Sequence, residues 1–120
     1  VLSSLNHTWI IDIDGTIAKH NGYKIDGKDT LLPGVREFFQ SLDNDDMVIF
    51  LTSRTIDMKE KTEEFLRANA IRYNYIIYGA PYGERIIVND DKPSGLEMSK
   101  AICLKRNAGI DFVVSINNKL

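Results

Sequence analysis

A single cysteine, three prolines and one tryptophan stand in 120 residues, and no uninterrupted apolar run approaches the length of a membrane span. The lone Cys103 excludes an internal disulfide framework. It sits among apolar positions at helical spacing, away from His and acidic partners, so it reads as a buried apolar residue in a reducing compartment. An excess of one charge is also missing. Fifteen Lys and Arg against seventeen Asp and Glu leave a formal net charge of -2, which gives no general attraction to nucleic acid or to an anionic membrane. Residues 1–6 lack the charged start and apolar stretch of a signal peptide, so the expected compartment is the cytoplasm. There is no repeat, linker or low-complexity segment. What remains is a composition of 43% hydrophobic and 27% charged residues, ordinary for a globular chain. Its length fits one domain, residues 1–120, with a core of its own.

Apolar periodicity divides the chain into alternating elements. Residues 8–13 form a β-branched and aromatic run that ends at the turn pair Asp14-Gly15, the pattern of a buried strand. Residues 17–32 are polar and glycine-containing and predict a loop or small flap. Pro33 opens a helical pattern carried by Val35, Phe38, Phe39 and Leu42. Met47 to Leu51 predicts a second buried strand, 55–69 a polar helix, and 75–78 and 85–88 two further strands around a turn-rich loop. Ser94 with Glu97 resembles a capping box, which predicts a helix to about Asn107 closed by Gly109; 112–116 predicts a fifth strand. Strands interleaved with helices imply an α/β fold. The expected form is a three-layer, Rossmann-like architecture with a mostly parallel five-stranded sheet of order 3-2-1-4-5.

Ligands of such folds bind beyond the carboxyl ends of the strands. The reactive residue types gather there. Asp12 and Asp14 follow the first strand, Thr52 and Ser53 the second, and Asn89, Asp90 and Asp91 the fourth. Two carboxylates two residues apart repel and invite a cation, and a hard ion such as Mg2+ takes oxygen ligands while leaving room for a phosphate oxygen. One carboxylate can then act as a nucleophile and the other as acid and base. Gly15 lets the backbone curl around a ligand, and the hydroxyls of Thr52 and Ser53 at a helix start suit an anion. Taken singly, each segment has an ordinary reading: Asp-Gly marks turns, Thr and Ser cap helices, and Asn-Asp-Asp suits a surface turn. Their meeting at one sheet edge carries the functional reading.

Asp12-Ile13-Asp14-Gly15-Thr16, Thr52-Ser53-Arg54 and Val88-Asn89-Asp90-Asp91-Lys92-Pro93 together resemble the motifs of the haloacid dehalogenase superfamily of phosphohydrolases, over nearly the whole chain. The resemblance implies that Asp12 is the nucleophile and Asp14 the general acid and base. It also implies that Thr52, with Ser53 and Gly15, binds the phosphate, and that Asp12, Asp14 and Asp90 hold Mg2+. An Asp at position 14 favours phosphatase or phosphomutase chemistry over the other branches of the family. One motif departs from the pattern: where the family supplies a cationic side chain, this chain reads Gly79-Ala80-Pro81. Arg85 is the first choice for that charge and Lys92 the second.

The intervals from Asp14 to Thr52 and from Thr52 to Asp90 are equal, and each is consumed by one crossover unit of about 30 residues or more, so no cap domain fits. Capless members of the family act on macromolecular phosphates or borrow a lid from a neighbouring subunit, which makes a homo-oligomer one expectation. The chain is also similar to short phosphatases associated with surface polysaccharide synthesis, which suggests a sugar phosphate as substrate. Two rival readings share these residues: a catalytically degenerate binding module of the same fold, and a receiver-type phosphoacceptor domain.

Overall fold

The computed structural model describes residues 1–120. Its first strand, β1 (Leu2–Ser3), is followed by β2 (Thr8–Ile11), the single helical turn α1 (Gly22–Ile25) and helix α2 (Val35–Ser41). Strand β3 (Met47–Leu51) leads through a 3-10 turn (Ile56–Met58) into α3 (Lys59–Ala68), and β4 (Tyr75–Ile77) and β5 (Ile116–Asn117) complete the set. The strands all pair in parallel, and an isolated antiparallel bridge joins Ala18 to Leu31. The main sheet has the order β2-β3-β4, with Ile11 opposite Phe50 and Leu51 opposite Ile77, while β1 and β5 form a separate two-stranded sheet. No helix is long and apolar enough to cross a membrane.

The fold is therefore α/β with parallel sheets, but the expected five-stranded sheet is not formed. Residues 85–88 are not a strand; Ile86 and Val88 are 83% and 92% exposed. A parallel crossover needs roughly a dozen residues or more, and the link between the end of β4 and Arg85 is shorter than that. The expected helix at 94–107 is absent as well. Gly95 takes a φ of +93°, and hydrogen bonds from Lys92 N–H to Leu96 O and from Gly95 N–H to Lys92 O close a turn where the helix would start. Such a helix depends on docking an apolar face, yet Met98 and Ile102 stay exposed. Cys103 is accordingly exposed rather than buried. Of the expected fifth strand only its last residue enters β5.

The core explains what does form. Twelve buried apolar side chains, all between Ile11 and Ile71, fill the space between the main sheet and the helices. Phe38 is their hub: its ring lies 5.2 Å from Trp9, 5.3 Å from Phe39 and 5.4 Å from Phe112, each edge-on. A tight crossing is among the contacts that tie the later part of the chain to this core. Ile110 N–H donates to Pro33 O at 3.0 Å, and Gly34 and Gly109, both at positive φ, lie so close to the facing backbone that a Cβ on Gly34 would clash with Ile110 O and one on Gly109 with Pro33 O.

The amino-terminal ends of β2 and β3 are joined by a buried carboxylate. Asp46 accepts hydrogen bonds from His7 N–H (2.9 Å), Trp9 Nε1 (3.0 Å) and Asn6 Nδ2 (3.1 Å), with His7 Nδ1 at 3.3 Å. Burial works to raise its pKa, but these donors outweigh it and hold the carboxyl below the usual carboxylate range. A depressed folded-state pKa stabilises the fold above the unfolded value, near 3.9, and that stabilisation is lost as pH falls through the lower folded value. Asp46→Asn is expected to cost about 1–3 kcal/mol at pH 7 and to reduce the loss of stability below about pH 4. Urea unfolding at both pH values checks it; a variant as stable as wild type at pH 7 would refute the assignment.

Candidate active site

Parallel register brings the carboxyl ends of β2, β3 and β4 to one edge. From β2 the chain continues into Asp12 and then turns sharply, because the N–H groups of Thr16, Ile17 and Ala18 all converge on Ile13 O. This convergence ends the strand before Asp12 and fixes both carboxylates at the edge. Gly15, at a φ of +87°, completes the turn. From β3 come Thr52, Ser53 and Arg54, and from β4 the segment whose Gly79 and Ala80 N–H groups donate to Arg54 O and Thr52 O.

Asp12 is half-buried. Burial pushes its carboxyl above the usual range and the charge of Asp14 pushes the same way. The Thr16 hydroxyl, which donates to Asp12 Oδ2 at 3.2 Å, the Ile13 amide and the positive charge of Arg85 pull against them. Thr52 is 1% exposed; its Oγ1 accepts the Arg54 N–H at 3.0 Å, which leaves its own proton for another acceptor. Ser53 Oγ donates to Pro81 O at 3.3 Å and accepts from Arg85 Nη2 at 3.2 Å. The other Arg85 nitrogen, Nη1, donates to Pro81 O and Gly83 O at 2.6 and 2.8 Å. Arg85 thus stands at the site edge, with its charge acting on Asp12.

The remaining candidates are not gathered there. Asp90, Asp91 and Lys92 are exposed in the irregular segment, where Asn89 Nδ2 donates to Asp90 O and Lys92 takes part in the Gly95 turn. No group of three or more His, Cys, Asp or Glu side chains is arranged around a common point. A hard cation that keeps most of its waters needs only one or two protein oxygens. Asp12, with one carboxylate oxygen free of side-chain donors, and the Asp14 main-chain carbonyl, which accepts no backbone hydrogen bond, fit that demand.

Three residues at the site carried no role in the sequence reading. Arg54 is bonded to Asp14 through Nε (2.9 Å) and Nη2 (2.8 Å), and to Asp29 through Nη2 (2.7 Å) and Nη1 (3.1 Å). Burial alone would lower the proton affinity of this guanidinium, but the hydrogen bonds and charges of Asp14 and Asp29 more than offset it, leaving its pKa above the ordinary value. Asp29 arrives from the 17–32 loop, where its sequence signal is that of any polar loop residue. Arg106 arrives from far along the chain: its stem would lie 3.1 Å from a Cβ on Gly15, and the neighbouring Asn107 bonds Gly15 O through its N–H and the His20 N–H through Oδ1.

No family model matches the sequence, and neither a curated protein nor a solved structure matches it. The case for a function rests on this geometry. In the metal-free protein, the Asp12 carboxyl is expected to titrate above the ordinary value of about 3.9, and Thr16→Val, which removes a donor to the ionised form, should move it further up. Carbon-13 NMR of labelled aspartate reads both shifts. A Thr16→Val titration that moves downward would contradict the account.

Proposed function

We propose that the chain is a magnesium-dependent phosphatase of the haloacid dehalogenase type, hydrolysing a phosphate monoester such as a sugar phosphate in the cytoplasm. The observation that carries the reading is Asp12 itself. It is a half-buried carboxylate at the open end of a parallel sheet, poorly satisfied, beside a second carboxylate and acted on by a cation.

In this reading an Asp12 carboxylate oxygen attacks phosphorus, the bond from phosphorus to the ester oxygen breaks, and the leaving oxygen takes a proton from Asp14. Water then attacks the aspartyl phosphate and gives its proton to Asp14, releasing inorganic phosphate and restoring Asp12. Asp14 starts the cycle as the acid, holding the proton on an oxygen lone pair that the guanidinium does not use, gives it to the leaving oxygen and regains it from water; each of its oxygens spends one lone pair on Arg54 and keeps another. Thr52 and Ser53 offer hydroxyls to the phosphoryl oxygens, and Gly15 leaves the turn open to them. Asp12 and the Asp14 carbonyl would hold Mg2+, which when bound would neutralise charge on the phosphoryl group.

A second reading is favoured by one observation: Asp90 stands apart from Asp12 and Asp14, as expected of a module that binds phosphate without turnover. Magnesium-dependent release of p-nitrophenol from p-nitrophenyl phosphate separates the two. With turnover, Asp12→Asn is expected to lower kcat on the order of 10³-fold or more without unfolding the protein. Asp14→Asn is expected to accumulate protein-bound phosphate on acid quench. Binding of phosphate without any turnover would establish the second reading.

The same assay ranks the cations. Arg85→Ala should reduce kcat by roughly 10²-fold, the scale of losing one electrostatic stabiliser, and Lys92→Ala should matter much less. The opposite order would transfer the role to Lys92.

A further inference from the structure

Arg54 is 1% exposed at its side chain, and its guanidinium uses all five N–H donors. Asp14 and Asp29 take two bonds each, and Thr62 Oγ1 on α3 takes the fifth at 2.9 Å. Its face lies 5.0 Å from the centre of the Tyr23 ring. Asp29 is 5% exposed and Tyr23 sits on α1, so two of these partners belong to the 17–32 loop. The neck of that loop is closed by backbone bonds from Lys19 N–H to Thr30 O and from Leu32 N–H to Ile17 O. Beyond the neck its remaining attachments are few, and Lys24, Ile25, Gly27 and Lys28 are exposed.

We infer that Arg54 is a positioning residue: shared between Asp14 and Asp29, it orients the Asp14 carboxylate and clamps the 17–32 loop beside it as a fixed wall of the site. The kinetic consequence rests on the phosphatase reading above; the clamp itself does not. Two bidentate pairs on one planar guanidinium leave the Asp14 carboxylate little freedom to rotate, and they couple its orientation to the order of the loop. Lysine keeps the charge but presents three donors from one point, so it cannot hold two carboxylates in this way. The guanidinium is fully engaged by protein acceptors and therefore acts through Asp14 rather than on a substrate.

The test compares Arg54→Lys, Asp29→Asn and Asp14→Asn with the double variant Arg54→Lys/Asp14→Asn in the full chain, with circular dichroism to confirm folding. Asp29→Asn keeps the shape of the clamp and serves if Arg54→Lys fails to fold. With Mg2+ and p-nitrophenyl phosphate, Arg54→Lys should lower kcat by about 10²-fold with KM changed less than about threefold, and Asp29→Asn should lower kcat by about tenfold. In the Asp14→Asn background, where phosphoprotein on acid quench is the readout, Arg54→Lys should add less than about threefold, because a residue acting through Asp14 has no carboxylate left to orient. Hydrogen exchange at the Lys19 and Leu32 amides should accelerate at least tenfold in Arg54→Lys and Asp29→Asn, but not in Asp14→Asn. Multiplicative losses in the double variant, or unchanged exchange at both amides, would overturn the proposal. A wild-type protein without turnover would defeat only the phosphatase reading, and the exchange arm would then decide the clamp alone.

Discussion

A buried guanidinium is tolerable only where its charge is met and its donors are satisfied, and Arg54 imposes that demand on three parts of the chain at once. It draws Asp14 from the turn after β2, Asp29 from the loop and Thr62 from α3, while its own backbone lies in the bend after β3 and accepts the Gly79 N–H. Removing any one partner would leave charge or donors unpaired in a dry interior, which costs more than the pair contributes when intact. The elements around the open sheet edge are therefore held by one electrostatic junction as well as by apolar packing. The junction carries two carboxylates on one cation. That junction is already net negative, and Asp12 adds to the excess, which in the proposed phosphatase reading is the condition under which a cationic cofactor and the charge of Arg85 would be useful.

The two ends of the β2–β3 pair show how local satisfaction decides the character of a carboxylate. Asp46, at the amino end, is buried but surrounded by donors from Asn6, His7 and Trp9, and its pKa falls. Asp12, at the carboxyl end, is less enclosed, yet it receives fewer donors and has Asp14 as a neighbour, and its pKa rises. The first arrangement fixes a strand pair in register and leaves no lone pair to react. The second leaves an oxygen with spare capacity facing an open edge. Burial raises both groups; at Asp46 the donors outweigh it, while at Asp12 fewer donors face burial and the charge of Asp14 together.

Legibility in the sequence followed the same physics. Strand β3 has the bounds of its apolar run, since Asp46 and Thr52 are polar stops on either side. Strand β2 is shorter than its apolar run because three amides converge on Ile13 O, a turn the Asp-Gly pair signals only approximately. Asp12, Asp14, Thr52 and Ser53 do meet at one edge, because two parallel neighbouring strands must end together. Arg54 was visible as a member of the Thr52-Ser53-Arg54 triplet, but its role depends on Asp29, and a polar loop gives no sign of which acid will fold back. The later third was misread for a different cause. A capping-box pattern and an apolar periodicity state what a helix would need, not whether a surface exists to receive it, and the left-handed Gly95 ends the helix at its start.

The absence of a lysine at Ala80 has a structural counterpart. Arg54 is the best-held cation near the site, but all five of its donors are committed to protein acceptors, so its charge is spent on Asp14 and Asp29. Any charge that helps a nucleophile at Asp12 must come from a side chain with capacity to spare. Arg85 has that capacity. Its bonds to Pro81 O, Gly83 O and Ser53 Oγ are made at an exposed position, to neutral acceptors, and can be exchanged for bonds to an anion at little cost. The glycines at 79 and 83 bracket the loop that brings Arg85 to the β3 edge, and Ser53, which Arg85 already touches, adjoins Thr52. In the proposed phosphatase reading, a cation delivered from a loop onto the hydroxyl-bearing end of β3 would meet the same electrostatic need as a lysine at position 80, from the other side of the turn.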